Sequence, residues 1–141
     1  MSKKIVITGG IGYIGTELCK IYSGISWNNE ILVIDNRFIS ERVNQLRNWG
    51  IDFIHGDILD KDLVNRHCRD ADIVHHLAGI TDVPRVKNES NTEKDSKIKL
   101  VGEEGTQNIL DAISDKCKII FPSTHVVYEG IEKVKKNILE E

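Results

Sequence analysis

Cysteine is too scarce and too scattered in this chain to build a disulfide framework. Its 141 residues hold three, Cys19, Cys68 and Cys117, far apart and without a Cys-x-x-Cys pair. An odd number at such spacing reads as reduced thiols of a cytoplasmic protein. Long apolar runs are missing too. The longest, such as Ile31 to Ile34, reach four or five residues, far short of the ~20 that span a bilayer. Neither sign of charge dominates: 19 Lys and Arg stand against 22 Asp and Glu, a formal net charge of −3. That balance gives no bulk attraction to nucleic acid or membrane surfaces. The start, Met1-Ser2-Lys3-Lys4, runs straight into strand-like residues, which predicts no signal peptide. No repeat and no low-complexity segment interrupts the rest.

The composition, 40% hydrophobic and 29% charged, is that of a globular domain. The length suits one core and leaves no room for a complete second substrate domain. Five apolar runs punctuate the chain: Ile5 to Ile7, Ile31 to Ile34, Ile51 to Ile54, Ile73 to Leu77 and Ile119 to Phe121. They are continuous and rich in Ile and Val, as strands buried on both faces are. Helical periodicity fills the gaps. Ile14, Leu18, Ile21 and Tyr22 form one stripe. Val43 and Leu46 form another after Ser40, a predicted N-cap, and Asp60 is placed to cap a helix carrying Leu63 and Val64. The fourth helix is expected over residues 92–113, with Ile98, Val101, Gly105, Ile109 and Ala112 on one face. Gly102 and Gly105 within it read either as a close approach by another element or as a helix that starts late. The alternation predicts an α/β, doubly wound parallel sheet of strand order 3-2-1-4-5. It occupies 1–128, followed by a charged amphipathic tail, 129–141.

The strongest motif is Ile7-Thr8-Gly9-Gly10-Ile11-Gly12-Tyr13-Ile14-Gly15. It reads as Gly-x-x-Gly-x-x-Gly from Gly9 or as Gly-x-Gly-x-x-Gly from Gly10, with the same chemistry. The chain turns sharply from strand to helix, which favours glycine. A pyrophosphate then approaches the backbone and meets the N–H groups and positive end of the helix. Asp35 follows Gly15 by 20 residues, at the end of the second run, where an acid binds the ribose 2′-hydroxyl of NAD. Alone it is as readily a turn residue; behind the glycine turn it reads as a ribose ligand. A carboxylate there repels a 2′-phosphate, which predicts NAD+ binding at least about tenfold tighter than NADP+. Arg37 cuts against this, because a nearby Arg accepts that phosphate.

Together these segments resemble the extended short-chain dehydrogenase/reductase superfamily, and within it the NAD-dependent sugar-nucleotide epimerase/dehydratase group. The resemblance implies a Rossmann fold, with Gly9, Gly12, Tyr13, Ile14 and Gly15 on the cofactor. Val33-Ile34-Asp35-Asn36 is similar to the family's strand-two end, implying that Asp35, Asn36 and Arg37 hold the adenosine ribose. Gly56-Asp57-Ile58 resembles the motif whose Asp and Ile contact adenine; Asp57 on its own is as well a helix cap. His75-His76-Leu77-Ala78-Gly79 resembles the strand-four motif, implying Leu77, Ala78, Gly79 and Thr81 as cofactor contacts. As a metal pair His75 and His76 fail, since neighbours on a strand point to opposite faces. Gly105-Thr106-Gln107-Asn108-Ile109-Leu110 resembles the family's Gly-Thr-x-Asn-Leu-Leu helix. Phe121 to Tyr128 resembles the Ser-Ser-x-x-Val-Tyr segment after strand five, which implies that Thr124 is the catalytic hydroxyl.

Three departures qualify the resemblance. Gly102 stands where the family usually has Asn. His125 and Val126 follow Thr124 where 4,6-dehydratases carry Asp-Glu, and neither can replace a carboxylate pair in eliminating water. The family's Tyr-x-x-x-Lys, its proton-exchanging base, is absent; Tyr128 has Glu132 at the fourth place. The expectation is the NAD-binding portion of a nucleotide-sugar oxidoreductase that lacks the C-terminal substrate half and is inactive as this chain. The alternatives are a stand-alone dinucleotide-binding or sensing module and a gene remnant. The nucleotide-sugar substrate enters only if the native chain is longer. A homodimer through the 92–113 helix is expected, unless the tail around Ile131 to Leu139 folds over that face.

Overall fold

The β-branched run at the start forms the middle of the sheet. In the computed structural model, which describes residues 2–25, 28–80 and 92–123, β1 (Lys4–Thr8) lies between β2 (Glu30–Asp35) and β4 (Ile73–His76). The full order is β3-β2-β1-β4-β5, all parallel, with β3 at Asp52–His55 and β5 at Lys118–Ile120. This is the order expected from the alternation of elements. β3 and β5 are each displaced by one residue from the apolar runs that announce them.

Alternate residues of β1 feed two cores, which is why the run is continuous rather than alternating. Ile5 and Ile7 pack with Val33, Ile11, Cys19 and Leu46 beneath α1 (Tyr13–Ser23) and α2 (Ser40–Asn48). Val6 packs on the other face with Leu32, Ile34, Val64 and Ile109, beneath α3 (Lys61–Cys68) and α5 (Thr106–Ala112).

Two predicted caps fare differently. Asp60 caps α3, its side chain accepting from Leu63 N–H at 3.0 Å. Ser40 does not cap α2. It is the first helical residue, and Ile39 takes the cap position without a side-chain hydrogen bond. Ile39 packs against the core under α1 and α2, so apolar packing fixes the entry to this helix where the hydroxyl preference suggested a cap. Asp57 does not cap α3 either. Its carboxylate accepts from Leu59 N–H and Asn36 Nδ2 at 3.0 Å each.

The helix expected over 92–113 is continuous but composite: α4 (Thr92–Leu100), a π-helical segment (Val101–Gly105), then α5. Val101, Gly105 and Ile109 are buried. At 3.6 residues per turn a strict four-residue spacing drifts by ~40° at each step, and the wider π turn takes up that drift. Gly105 is where a neighbour comes close: a Cβ there would lie 2.4 Å from Ile58 Cδ1. Gly102 has nothing within 4 Å of such a Cβ. Thr81, Thr124 and the 129–141 tail lie outside the described residues.

Candidate functional site

The strand order reverses between β1 and β4, the place where open α/β sheets bind ligands. Here the two strand ends are laced together. Leu77 N–H donates to Thr8 O at 3.1 Å, and Ala78 N–H to Thr8 Oγ1 at 3.2 Å. Gly9 follows in a left-handed conformation, φ +70°, with its N–H on Ile34 O. A Cβ on Gly9 would lie 2.7 Å from Ala78 N, so glycine is required there twice over, by backbone angle and by space. Gly15 lets α1 settle on the turn, since its Cβ would meet Gly9 O and Gly10 Cα at 2.6 Å.

A groove of about 940 Å³ opens above these strand ends. Every described residue expected to hold the cofactor lines it: the glycine turn, Asp35 to Arg37, Asp57 with Ile58, and Leu77 to Gly79. At its floor α1 begins at Gly12 without a side-chain cap, so its first N–H groups and positive end face the groove. Beside it Asp35 is 5% exposed. Its carboxylate accepts from Ile11 N–H at 3.2 Å and Arg37 N–H at 3.0 Å, and the Arg37 guanidinium pairs with it. An uncapped helix start over a cradle without Cβ atoms, with a fixed carboxylate alongside, fits a pyrophosphate-bridged dinucleotide.

Side chains that the sequence reading gave no individual role line the groove or bond to residues that do. Arg42 of α2 lines it and donates Nη1–H to Ile11 O. Asn108 of α5 donates to Ile58 O at 3.0 Å, tying α5 to the loop after β3. His76 bonds Thr8 Oγ1 through Nδ1 at 2.8 Å and Thr106 Oγ1 through Nε2 at 3.0 Å, with the Phe121 ring 5.4 Å away. Neutral imidazole serves both hydroxyls, as donor to one and acceptor from the other; imidazolium can only donate. Burial pushes its pKa down. His75 points to the opposite face, onto Tyr22 Oη at 2.7 Å, and burial with Lys118 nearby pushes it down as well. No group of three His, Cys, Asp or Glu suited to a metal occurs among the described residues.

A sequence model of the 3-beta hydroxysteroid dehydrogenase/isomerase family matches residues 6–140. CDP-paratose 2-epimerase of Salmonella typhi is 34% identical over 146 residues, covering 97% of this chain and 41% of the relative. The solved UDP-glucose 4-epimerase of Thermus thermophilus, in complex with NAD, is 26% identical at TM-score 0.61, over 77% of this chain and 33% of the other. The fold likeness extends to UDP-N-acetylglucosamine 4-epimerase of Methanobrevibacter ruminantium M1, TM-score 0.72 at 24% identity, over 96% of this chain and 43% of the other. The chain therefore spans about two fifths of the length of the curated relatives it matches.

Proposed function

This chain belongs to the 3-beta hydroxysteroid dehydrogenase/isomerase family, and on that footing we propose that it is the NAD-binding portion of a nucleotide-sugar epimerase/dehydratase-type oxidoreductase. One observation carries the reading: the uncapped start of α1 at Gly12, with buried Asp35 beside it in one groove. NAD, when bound, supplies a hydride acceptor. The chain's own residues do the rest. N–H groups at the start of α1 take the pyrophosphate, and Asp35 accepts from an adenosine-ribose hydroxyl. Asp57 and Ile58 meet adenine, and Leu77 to Gly79 line the far stretch. Thr124 keeps the role of catalytic hydroxyl that the family resemblance implies. The given residues carry no Tyr-x-x-x-Lys, the family's proton-exchanging pair, so NAD+ with nucleotide sugars is expected to yield no NADH. The helix face expected to lack a partner is covered within the chain at Val101 and Ile109; a second copy packing instead on the 92–113 helix where Leu100 and Leu110 are exposed is the proposed partner, which light scattering at twice 16.0 kDa checks and a monomer refutes.

Gly12→Ala tests the cofactor reading. Its Cβ would lie 3.0 Å from Gly9 O, a contact tight enough to need only a small adjustment. The fold should therefore persist while the new methyl obstructs the pyrophosphate. Calorimetric titration with NAD+ is expected to show Kd rising at least about tenfold with an unchanged circular dichroism spectrum. Undiminished binding by the variant, or no binding by the parent chain, overturns the reading.

A further inference from the structure

The groove around Asp35 carries more positive charge than a ribose site built on a carboxylate alone. Arg37 Nε lies 3.3 Å from Asp35 Oδ1 and Nη2 3.5 Å from Oδ2, so the guanidinium runs along the carboxylate. It also borders the glycine turn: a Cβ on Gly12 would lie 3.5 Å from Arg37 Nη2. Arg42 converges on the same turn. Ile11 is the common point, its N–H on Asp35 Oδ2 and its C=O accepting from Arg42 Nη1. Arg37 thus pairs with the carboxylate, Arg42 reaches the same turn through Ile11 O, and all three line the groove. Their exposures differ. The Asp35 side chain is 3% exposed, whereas that of Arg37 is 54% exposed.

We propose that Arg37 determines cofactor choice here: it screens Asp35, so that the adenosine-ribose site admits a 2′-phosphate as well as a 2′-hydroxyl. The inference rests on the dinucleotide reading above. Asp35 alone repels a 2′-phosphate, which is why the sequence predicts NAD+ at least about tenfold tighter than NADP+; the position of Arg37 along the carboxylate argues against that preference. A guanidinium offers a phosphate two parallel donors, and Arg42 adds a second positive charge within the same groove. The ribose hydroxyls of NAD, in contrast, must share the Asp35 carboxylate with Arg37. Removing Arg37 therefore moves the two cofactors apart. An arginine that served only to attract the pyrophosphate would move both together.

The test is titration of the full chain with NAD+ and with NADP+, repeated on Arg37→Leu and Arg37→Gln. The parent is expected to bind the two within about tenfold of each other. In Arg37→Leu, NAD+ binding is expected to hold or tighten, while NADP+ weakens at least about tenfold. Arg37→Gln removes the charge but keeps a donor, and repeats the measurement should the leucine variant fold poorly. A parent preference for NAD+ beyond about tenfold, or equal weakening of both cofactors in the variants, overturns this inference and leaves the dinucleotide reading standing. A parent that binds neither overturns both.

Discussion

His76 holds three parts of the groove in place at once, and its burial favours the neutral imidazole. Its bonds to Thr8 and Thr106 join β1 to α5 across sequence separations of 68 and 30 residues. Burial holds its pKa below the usual 6.5, and those of His75 and His67 move in the same direction, burial again being the main cause. The sign follows from proton linkage. Near pH 6.5 the unfolded chain takes up protons that the folded chain refuses, so stability is complete above that pH and falls as pH drops through it. Urea unfolding is expected to show a lower midpoint at pH 5.5 than at pH 7.5; equal midpoints would contradict this account. Exposed Asp70 and Asp111, whose pKa values lie below 3.8, act only in more acidic solution. The glycine turn and Asp35 could be read from the sequence because their spacing is local and their chemistry general. The His76 bonds could not, since nothing in the spacing of Thr8, His76 and Thr106 announces that a parallel pairing brings them together. Arg37 was visible as a residue, but its place along the carboxylate is a matter of side-chain geometry.

Within the helical track 92–112 the two glycines do opposite things. Gly105 admits Ile58, whose Cδ1 would lie 2.4 Å from an added Cβ, whereas Gly102 faces open space. Gly105→Ala is expected to lower stability by about 1–3 kcal/mol, the usual range for overpacking against a side chain that must rotate away. Gly102→Ala is expected to raise it by up to about 1 kcal/mol, from helix propensity alone. Thermal unfolding of both variants beside the parent checks the contrast, and a shift in the same direction for both would break it. The apolar stripe made this helix readable, and its two glycines already suggested a close approach. The π segment was not readable, because a four-residue spacing is compatible with an ordinary helix until the sheet fixes which side chains must point inward. At α2 the failure has another cause. A local hydroxyl preference at Ser40 lost to the packing of Ile39, which depends on residues distant in sequence.

Across the whole molecule, the sheet separates two cores, and each contains a built-in reporter. Cys19 is buried in one layer and Cys68 in the other. Burial pushes both thiols up to about 12, leaving almost no thiolate at neutral pH. If the shared strands make the two layers one cooperative unit, the two thiols should resist alkylation in native buffer and become reactive together through the urea transition. Labelling followed by peptide mass spectrometry reads each site separately, and reactivity of one before the other would show that a layer opens alone. The layered order itself was readable, because continuous Ile and Val runs alternating with helical stripes admit few topologies.

The position of β1 at the centre of the sheet also has a consequence for synthesis. Lys4 pairs with Glu30, and Ile5 with Ile73. On the ribosome the central strand therefore emerges 26 residues before its first neighbour and 68 before its second. At ~5–20 residues per second, the second interval lasts ~3–14 s. For that time the central strand and the glycine turn behind it have at most one flank covered, and the groove cannot close until β4 arrives. The nascent chain must stay soluble through that interval, with its glycine turn made early and shaped late.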